Sequence, residues 1–309
     1  MRVKLHERKC PNCGSNDFLK VLESKDFRFD KNKNVFTLVK CKSCDLVYLN
    51  PIFSENDLNK FYGTNFYSGY KNYFINKISK IISFLTIKSF FKIFRKYKSK
   101  GKVLDVGCGL GGLVSGFVDY KYDAYGIEIN KEARQFIKPE LRKRIIFNDL
   151  KEIGFKKNSF DIITVIHVLE HVYDLKSFLN EIKNNLKKDG ILYIRVPNND
   201  FFEYKFFGKY AYNLEVPRHL SFFTKKSLKK VLKNAGFGKI VYIKNNFCEL
   251  FLTPASFYYS IKYFLKDKNI KLPKFINLIL FLLLVPIRMI FKLLFISQQQ
   301  DIQIIVSLK

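Results

Sequence analysis

Two cysteine pairs, Cys10-Pro-Asn-Cys13 and Cys41-Lys-Ser-Cys44, set four thiols at the spacing of a sulfur-only metal site. Each C-x-x-C pair puts two thiolates on one tight knuckle, and two knuckles brought together supply the tetrahedral set that zinc prefers. Gly14, directly after the first pair, suits the left-handed turn such a knuckle needs. Between the pairs, Phe18, Leu19 and Val21, then Val35, Phe36, Leu38 and Val39, read as short strands. Cys10, Cys13, Cys41 and Cys44 are therefore expected to hold a structural Zn2+ in a zinc ribbon. With every position taken by protein, the metal is not expected to do chemistry. Two disulfides or free thiols are the competing reading, but nothing at the N-terminus reads as a signal peptide and intracellular thiols stay reduced, so the chain is expected in the cytoplasm.

A second chemical constellation follows in Val103-Leu-Asp-Val-Gly-Cys-Gly-Leu-Gly-Gly112. Val103 to Val106 is a short apolar strand, and the glycines after it let a backbone approach a ligand closely while helix N-terminal amides aim at it. A second strand, Ala124-Tyr-Gly-Ile127, ends in Glu128, about twenty residues beyond the glycines, where an acid can accept both hydroxyls of a ribose.

The elements that must position these residues alternate between strand and helix over 101–245. A third strand, Arg144-Ile-Ile-Phe147, runs into Asn148-Asp149; a fourth, Asp161-Ile-Ile-Thr-Val-Ile166, runs into His167-Val-Leu-Glu-His171; a fifth, Gly190-Ile-Leu-Tyr-Ile-Arg-Val196, stops at Pro197. Leu175, Phe178, Leu179, Ile182 and Leu186 repeat at helical spacing and read as core. This is the pattern of an α/β, doubly wound, Rossmann-like sheet, mostly parallel.

A glycine turn alone would also fit a dinucleotide-binding dehydrogenase. The series VLDVGCG, YGIEIN, FNDL and FDIITVIHVLEHV, however, resembles the class I S-adenosylmethionine-dependent methyltransferases over about residues 101 to 245. That resemblance implies that Asp105, Gly107 and Gly109 hold the methionine part of S-adenosyl-L-methionine, that Glu128 binds the ribose, that Asp149 meets the adenine amino group and that Leu150 lines the adenine pocket. His167 would touch the methionine end. The runs CKSCDLVYLNP, LEHV, EVPRHLSFFT and LKKVLKNAGF resemble, more narrowly, the zinc-ribbon-bearing methyltransferases found with surface-glycan and sugar biosynthesis genes. The long additional C-terminal domain of the sugar C-methyltransferases that also carry cysteine pairs is not expected here, so their carbon-methylation mechanism is not carried over.

Methyl transfer is an in-line displacement at a good electrophile, and a base is required only for a hydroxyl or an acidic carbon. Of the four histidines, His167 and His171 flank Glu170 beyond the fourth strand, and His219 stands in Val216-Pro-Arg-His219 beyond the fifth. His219 is the expected base or acceptor-orienting group, His171 either assists or packs the following helix, and Glu170 orients a neighbour through a hydrogen bond. No Asn-Pro-Pro-Tyr or Asp-Pro-Pro-Tyr follows the fourth strand, so the platform for methylating nucleic-acid amino groups is missing. No Pro-Cys follows it either, and Cys108 lies inside the glycine turn, which speaks against a nucleophilic cysteine.

At 309 residues with 48% hydrophobic content the chain can bury a sizeable core, and disorder is not expected. Its net charge of +28 suits an acidic partner, RNA or an anionic membrane face, though an excess of Lys over Arg with many Asn, Ile, Phe and Tyr is also what a biased genome would give. The aromatic run Phe201 to Tyr212 reads either as a lip that stacks on sugar rings or bases or as a packed lid helix. A helix over about 71–98 is apolar around much of its circumference. The run 275–296 approaches transmembrane length but is broken by Pro286, Arg288 and Lys292. The tail Ile302-Gln-Ile-Ile-Val-Ser-Leu308 reads as the last strand of the sheet, which the resemblance implies to be antiparallel, and a strand cannot rejoin its sheet from across a bilayer. The apolar run is thus expected to lie on an anionic membrane surface, with a buried hairpin or dimer interface as the other reading.

The expected organisation is a zinc ribbon over 1–50, a linker and amphipathic helix over 51–100, and a methyltransferase domain over 101–309 with a hydrophobic helical insertion at about 250–298. The expected activity is methylation of a nucleotide- or lipid-linked sugar in surface-glycan synthesis. An RNA base methyltransferase is the alternative, and a catalytically idle zinc-binding adaptor a third class. The sequence leaves the methylated atom and the oligomeric state open.

Overall fold

The structure is a computed structural model, and it describes residues 3–28, 34–61, 91–200, 202–242, 254–270, 273, 276, 279, 283 and 301–308. Its strands are β1 (Phe18–Ser24), β2 (Phe36–Cys41), β3 (Val47–Leu49), β4 (Lys102–Val106), β5 (Asp123–Ile127), β6 (Ile145–Ile146), β7 (Phe160–Ile166), β8 (Leu186–Pro197), β9 (Ser221–Phe222), β10 (Ile240–Tyr242) and β11 (Asp301–Ser307). The chain divides into two compact units. One comprises Met1–Tyr62, Pro197–Leu228 and Phe247–Asp301, the other Gly63–Val196, Lys229–Asn246 and Ile302–Lys309.

The second unit is built on a seven-stranded sheet of order β10-β11-β8-β7-β4-β5-β6. β4 pairs in parallel with both β5 and β7, β5 with β6 and β7 with β8, while β10 and β11 run antiparallel. Val103, Leu104, Ile162, Ile163, Val165, Leu192 and Ile194 are all buried, as expected of strands covered on both faces. The expected last antiparallel strand is β11, inserted between β10 and β8, with Tyr193 donating to Gln303 Oε1 at 3.0 Å. The helix Leu175–Asn185 buries Leu175, Phe178, Leu179 and Ile182 of the stripe read from the sequence, and Asp174 caps it by accepting from Ser177 N; the stripe's fifth residue, Leu186, is buried as the first residue of β8 instead. Of the helix expected over 71–98, residues 91–97 are helical and the rest lies outside the described residues. Phe91 stacks on Tyr120 at 3.9 Å and meets Phe117 edge-on at 4.9 Å, and Phe94 packs against Tyr193 at 5.4 Å, so this end of the apolar helix serves as core.

The first unit carries a four-stranded sheet of order β1-β2-β3-β9. β9 closes it through Val47↔Phe222 and Tyr48↔Ser221, so the CKSCDLVYLNP and EVPRHLSFFT runs, far apart in sequence, become neighbouring strands. Arg8 ties them further, donating to Leu49 O and Leu220 O at 3.2 Å each. Phe36, Phe53 and Phe61 form its ring cluster. Arg218 and Asp26, 0% and 1% exposed, form a buried ion pair with three contacts of 3.2 Å. Breaking such a pair strands a charge, so it fixes the loop before β9 against the end of β1.

The aromatic run after β8 forms a helix, Phe202–Phe207, followed by tight turns. Tyr212 stacks on Tyr259, and Tyr210 meets Phe264 edge-on, both partners on the helix Pro254–Asp267. These rings are used for packing, while Phe206 is 66% exposed. Most of the apolar run 275–296 lies outside the described residues; Ile276, Ile279 and Leu283 are helical. Among the described residues no helix is long and apolar enough to cross a membrane.

Candidate functional site

The four sulfurs of the first unit meet. Cys10 Sγ lies 3.5 Å from Cys44 Sγ and Cys13 Sγ 3.5 Å from Cys41 Sγ, and all four lie within 4.8 Å of one another. A tetrahedron with metal–sulfur bonds of about 2.3 Å has sulfurs about 3.8 Å apart, so the set has the size of a four-cysteine zinc site. None of these cysteines is in a disulfide. The two knuckles are built alike: Gly14 N donates to Cys10 O and Asp45 N to Cys41 O, with Gly14 at φ +74° and Asp45 at φ +66°. The second knuckle thus takes a left-handed turn with an aspartate, a residue that tolerates it better than most, and Lys40 and Lys226 pair with its carboxylate. Hydrogen bonding from Cys10 holds the Cys44 thiol down, to about 5, while that shared proton and burial push Cys10 up. One member of the cluster is thereby readily ionised, as a metal ligand must be.

In the second unit β4 ends in the glycine turn and passes into the helix Gly112–Asp119. Gly107 N and Cys108 N both donate to Ile127 O, at 2.8 and 2.9 Å, which docks the turn on the end of β5. Glu128, 5% exposed, then accepts from Gly109 N through Oε2 and from Asn130 N through Oε1, both at 2.8 Å. The acid expected to bind a ribose therefore also holds the glycine turn. Each carboxylate oxygen carries two lone pairs, so accepting from the turn does not by itself bar a ribose hydroxyl. The glycines differ in what surrounds them. A Cβ on Gly107 would meet Val168 Cγ2 at 2.3 Å and one on Gly111 would meet Ile145 Cδ1 at 2.6 Å, whereas one on Gly109 would meet nothing within 4 Å. Gly109 therefore faces open space, and a cofactor backed against the turn would fill it.

Asp105 is 4% exposed and accepts from Thr164 Oγ1 at 2.6 Å; the two are direct partners across β4 and β7. Burial pushes its carboxyl up to about 7, against the pull of the Thr164 hydroxyl, and the neighbouring Glu128 charge adds to the rise. A bound cation would reverse this, which suits a ligand carrying an ammonium and a sulfonium. Burial likewise pushes the Cys108 thiol up, and the sulfur packs where a Cβ on Gly126 would stand, so Cys108 is no nucleophile. Asp149 caps the short helix Leu150–Ile153 by accepting from Lys151 N at 2.9 Å, and Leu150 is buried.

Beyond β7, His167 N donates to Arg195 O at 2.9 Å, and His167 Nδ1 lies 3.3 Å from Glu170 Oε1. Glu170 and His171 occupy one short turn, Leu169–His171. His219, 6% exposed, lies in the first unit and meets Phe222 edge-on. The residues that sequence reasoning passed over are Thr164 and Asn130; a lone threonine in an otherwise aliphatic strand was the available signal for the first.

A glycine turn at the carboxyl end of the central strand, an acid at the tip of its neighbour and an antiparallel strand inserted last define the class I methyltransferase domain. The chain belongs to the methyltransferase-domain family, which matches residues 77–241, just over half of it. It is 33% identical over 148 residues to an uncharacterized protein of Methanocaldococcus jannaschii, covering 44% of this chain and 64% of that protein. It is 32% identical over 109 residues to a ubiquinone biosynthesis O-methyltransferase of Pelagibacter ubique, covering 34% of this chain and 45% of that one. The chain thus spans less than two thirds of either relative. A crystal structure of an S-adenosylmethionine-dependent methyltransferase from Archaeoglobus fulgidus aligns at 16% identity with a TM-score of 0.47, over 72% of this chain and 93% of that one.

Proposed function

We propose that the protein methylates a hydroxyl of a nucleotide- or lipid-linked sugar, with S-adenosyl-L-methionine as donor and a structural zinc in its first unit. The observation that carries the methyl-transfer reading is the glycine turn fastened to Glu128 above the buried Asp105, with Gly109 left open. Asp105, Gly107 and Gly109 would hold the methionine half, Glu128 the ribose, and Asp149 with Leu150 the adenine. When bound, S-adenosyl-L-methionine supplies an electrophilic methyl group; the protein binds, orients and removes a proton. Zinc, held by Cys10, Cys13, Cys41 and Cys44, would fix the ribbon.

The sugar acceptor rests on the resemblance of CKSCDLVYLNP and EVPRHLSFFT to glycan-associated methyltransferases. The Pelagibacter relative is by name an O-methyltransferase, which favours oxygen as the accepting atom. A lipid-linked acceptor fits an apolar run beside lysines, and Ile279 and Leu283 are 50% and 59% exposed. The test is release of S-adenosylhomocysteine from S-adenosyl-L-methionine with nucleoside-diphosphate sugars and polyprenyl-linked sugars as acceptors, with RNA as the competing substrate. Turnover on RNA alone would replace the sugar reading, and binding of a nicotinamide dinucleotide without S-adenosyl-L-methionine would end the methyl-transfer one. Co-sedimentation with anionic liposomes, released by changing Leu280, Leu283 and Leu284 together to Ser, tests the membrane contact.

A further inference from the structure

Two unfavourable features fall on one short stretch at the carboxyl end of β7. His167 holds a left-handed backbone, φ +52°, which side chains other than glycine disfavour. Three residues on, Glu170 is 1% exposed, with Oε1 on His167 Nδ1 and Oε2 buried without a hydrogen-bond partner among the described residues. A buried carboxylate oxygen with no donor is costly, and packing alone would be served better by an apolar side chain. Packing is in any case done by the residues between: Leu169 is fully buried, and Val168 closes on Gly107. The imidazole is 43% exposed. It follows a strand that pairs directly with β4, so it stands next to the turn assigned above to the methionine half.

We infer that His167 is the base that takes the acceptor's proton and that Glu170 is its positioning residue. This rests on the methyl-transfer reading. A carboxylate on Nδ1 keeps the imidazole proton on that nitrogen and leaves Nε2 to accept. The acceptor's O–H proton passes to Nε2 while an oxygen lone pair forms the bond to the methyl carbon. The carbon–sulfur bond breaks with its electron pair left on sulfur, so the sulfonium charge is cancelled. The products are a methyl ether, S-adenosylhomocysteine and one proton, which the imidazolium returns to water. Glu170 stabilises that imidazolium without taking the proton.

The pair is tested in protein carrying 15N-labelled histidine, with the His167 resonances assigned through His167→Asn. Neutral His167 is expected as the Nδ1–H tautomer in the wild type and as the Nε2–H tautomer in Glu170→Leu. An Nε2–H tautomer in the wild type, or no change in the variant, overturns the pair. Should Glu170→Leu fail to fold, Glu170→Gln reads the same resonances, since its amide N–H can donate to Nδ1 and drive the same change. Calorimetry with S-adenosylhomocysteine separates a base from a cofactor contact. His167→Asn is expected to bind within about threefold of wild type, and a loss of about tenfold or more overturns the assignment as base. A wild type that does not bind S-adenosylhomocysteine counts against the methyl-transfer reading instead, while the tautomer, readable without ligand, still decides the pair.

Discussion

Asp105 is where the demands of binding and folding conflict most sharply. Its carboxyl is raised from an ordinary 3.8 to about 7 by burial, so between those values the folded chain holds a proton that the unfolded chain has lost. Stability from this group is complete below its ordinary value and is lost as pH rises through about 7. Asp105→Asn keeps an acceptor for Thr164 and removes the buried charge. Denaturant titrations should therefore show the variant more stable than wild type at pH 8 and free of this loss, while calorimetry shows S-adenosyl-L-methionine bound more weakly by about 1 to 3 kcal/mol. An unaltered pH slope would mean that another group titrates. Glu128→Ala should weaken the same ligand and, because Gly109 N loses its acceptor, also loosen the turn; amide exchange at Gly109 reads the second effect separately.

The glycine turn shows how one element divides its residues between fold and ligand. Gly107→Ala drives a methyl into Val168 and should destabilise the domain by about 2 kcal/mol or more. Gly109→Ala meets nothing in the protein, so beyond about 1 kcal/mol for its left-handed φ it should leave folding intact and abolish cofactor binding. Equal losses of melting temperature in the two variants would contradict this division. The turn was legible in the sequence because its signals are local: glycines at fixed offsets after an apolar strand. So were β4, β5, β7 and β11, and the stripe of the helix Leu175–Asn185. What pairing at a distance creates was not. β3 and β9 are three and two residues long, too short for any period to show, and each is defined by its neighbours, β3 by β2 and β9 on either side and β9 by β3. β8 starts at Leu186 rather than Gly190, since Phe160 pairs with Leu186 across a register shift that polar Lys187, Lys188 and Asp189 conceal. At the site, Cys10, Cys13, Cys41 and Cys44 could be grouped from spacing alone, whereas the Asp26–Arg218 pair joins residues 192 positions apart and Thr164 reaches Asp105 from the next strand.

For the molecule as a whole, the two units make separable predictions. Metal analysis should give about one zinc per chain, held by four thiolates whose binding is coupled to folding of the ribbon. Cys41→Ser should lose the metal and raise amide exchange through β1, β2, β3 and β9, while affinity for S-adenosylhomocysteine in the other unit stays nearly intact; a metal-free wild type with a protected ribbon would remove the zinc. The central sheet carries a different consequence, one of timing. β11 leaves the ribosome long after β8, yet its place is between β8 and β10. Until it emerges, β8 has an open edge and β10 has no strand to join, and an unpaired edge is a template for pairing with another chain. For the time it takes to synthesise the chain from Pro197 to Asp301, the nascent protein holds a nearly finished sheet with its gap still open. Translation that stalls short of Asp301 would leave that gap permanently, which makes truncated chains of this protein candidates for chaperone capture or aggregation rather than shortened enzymes.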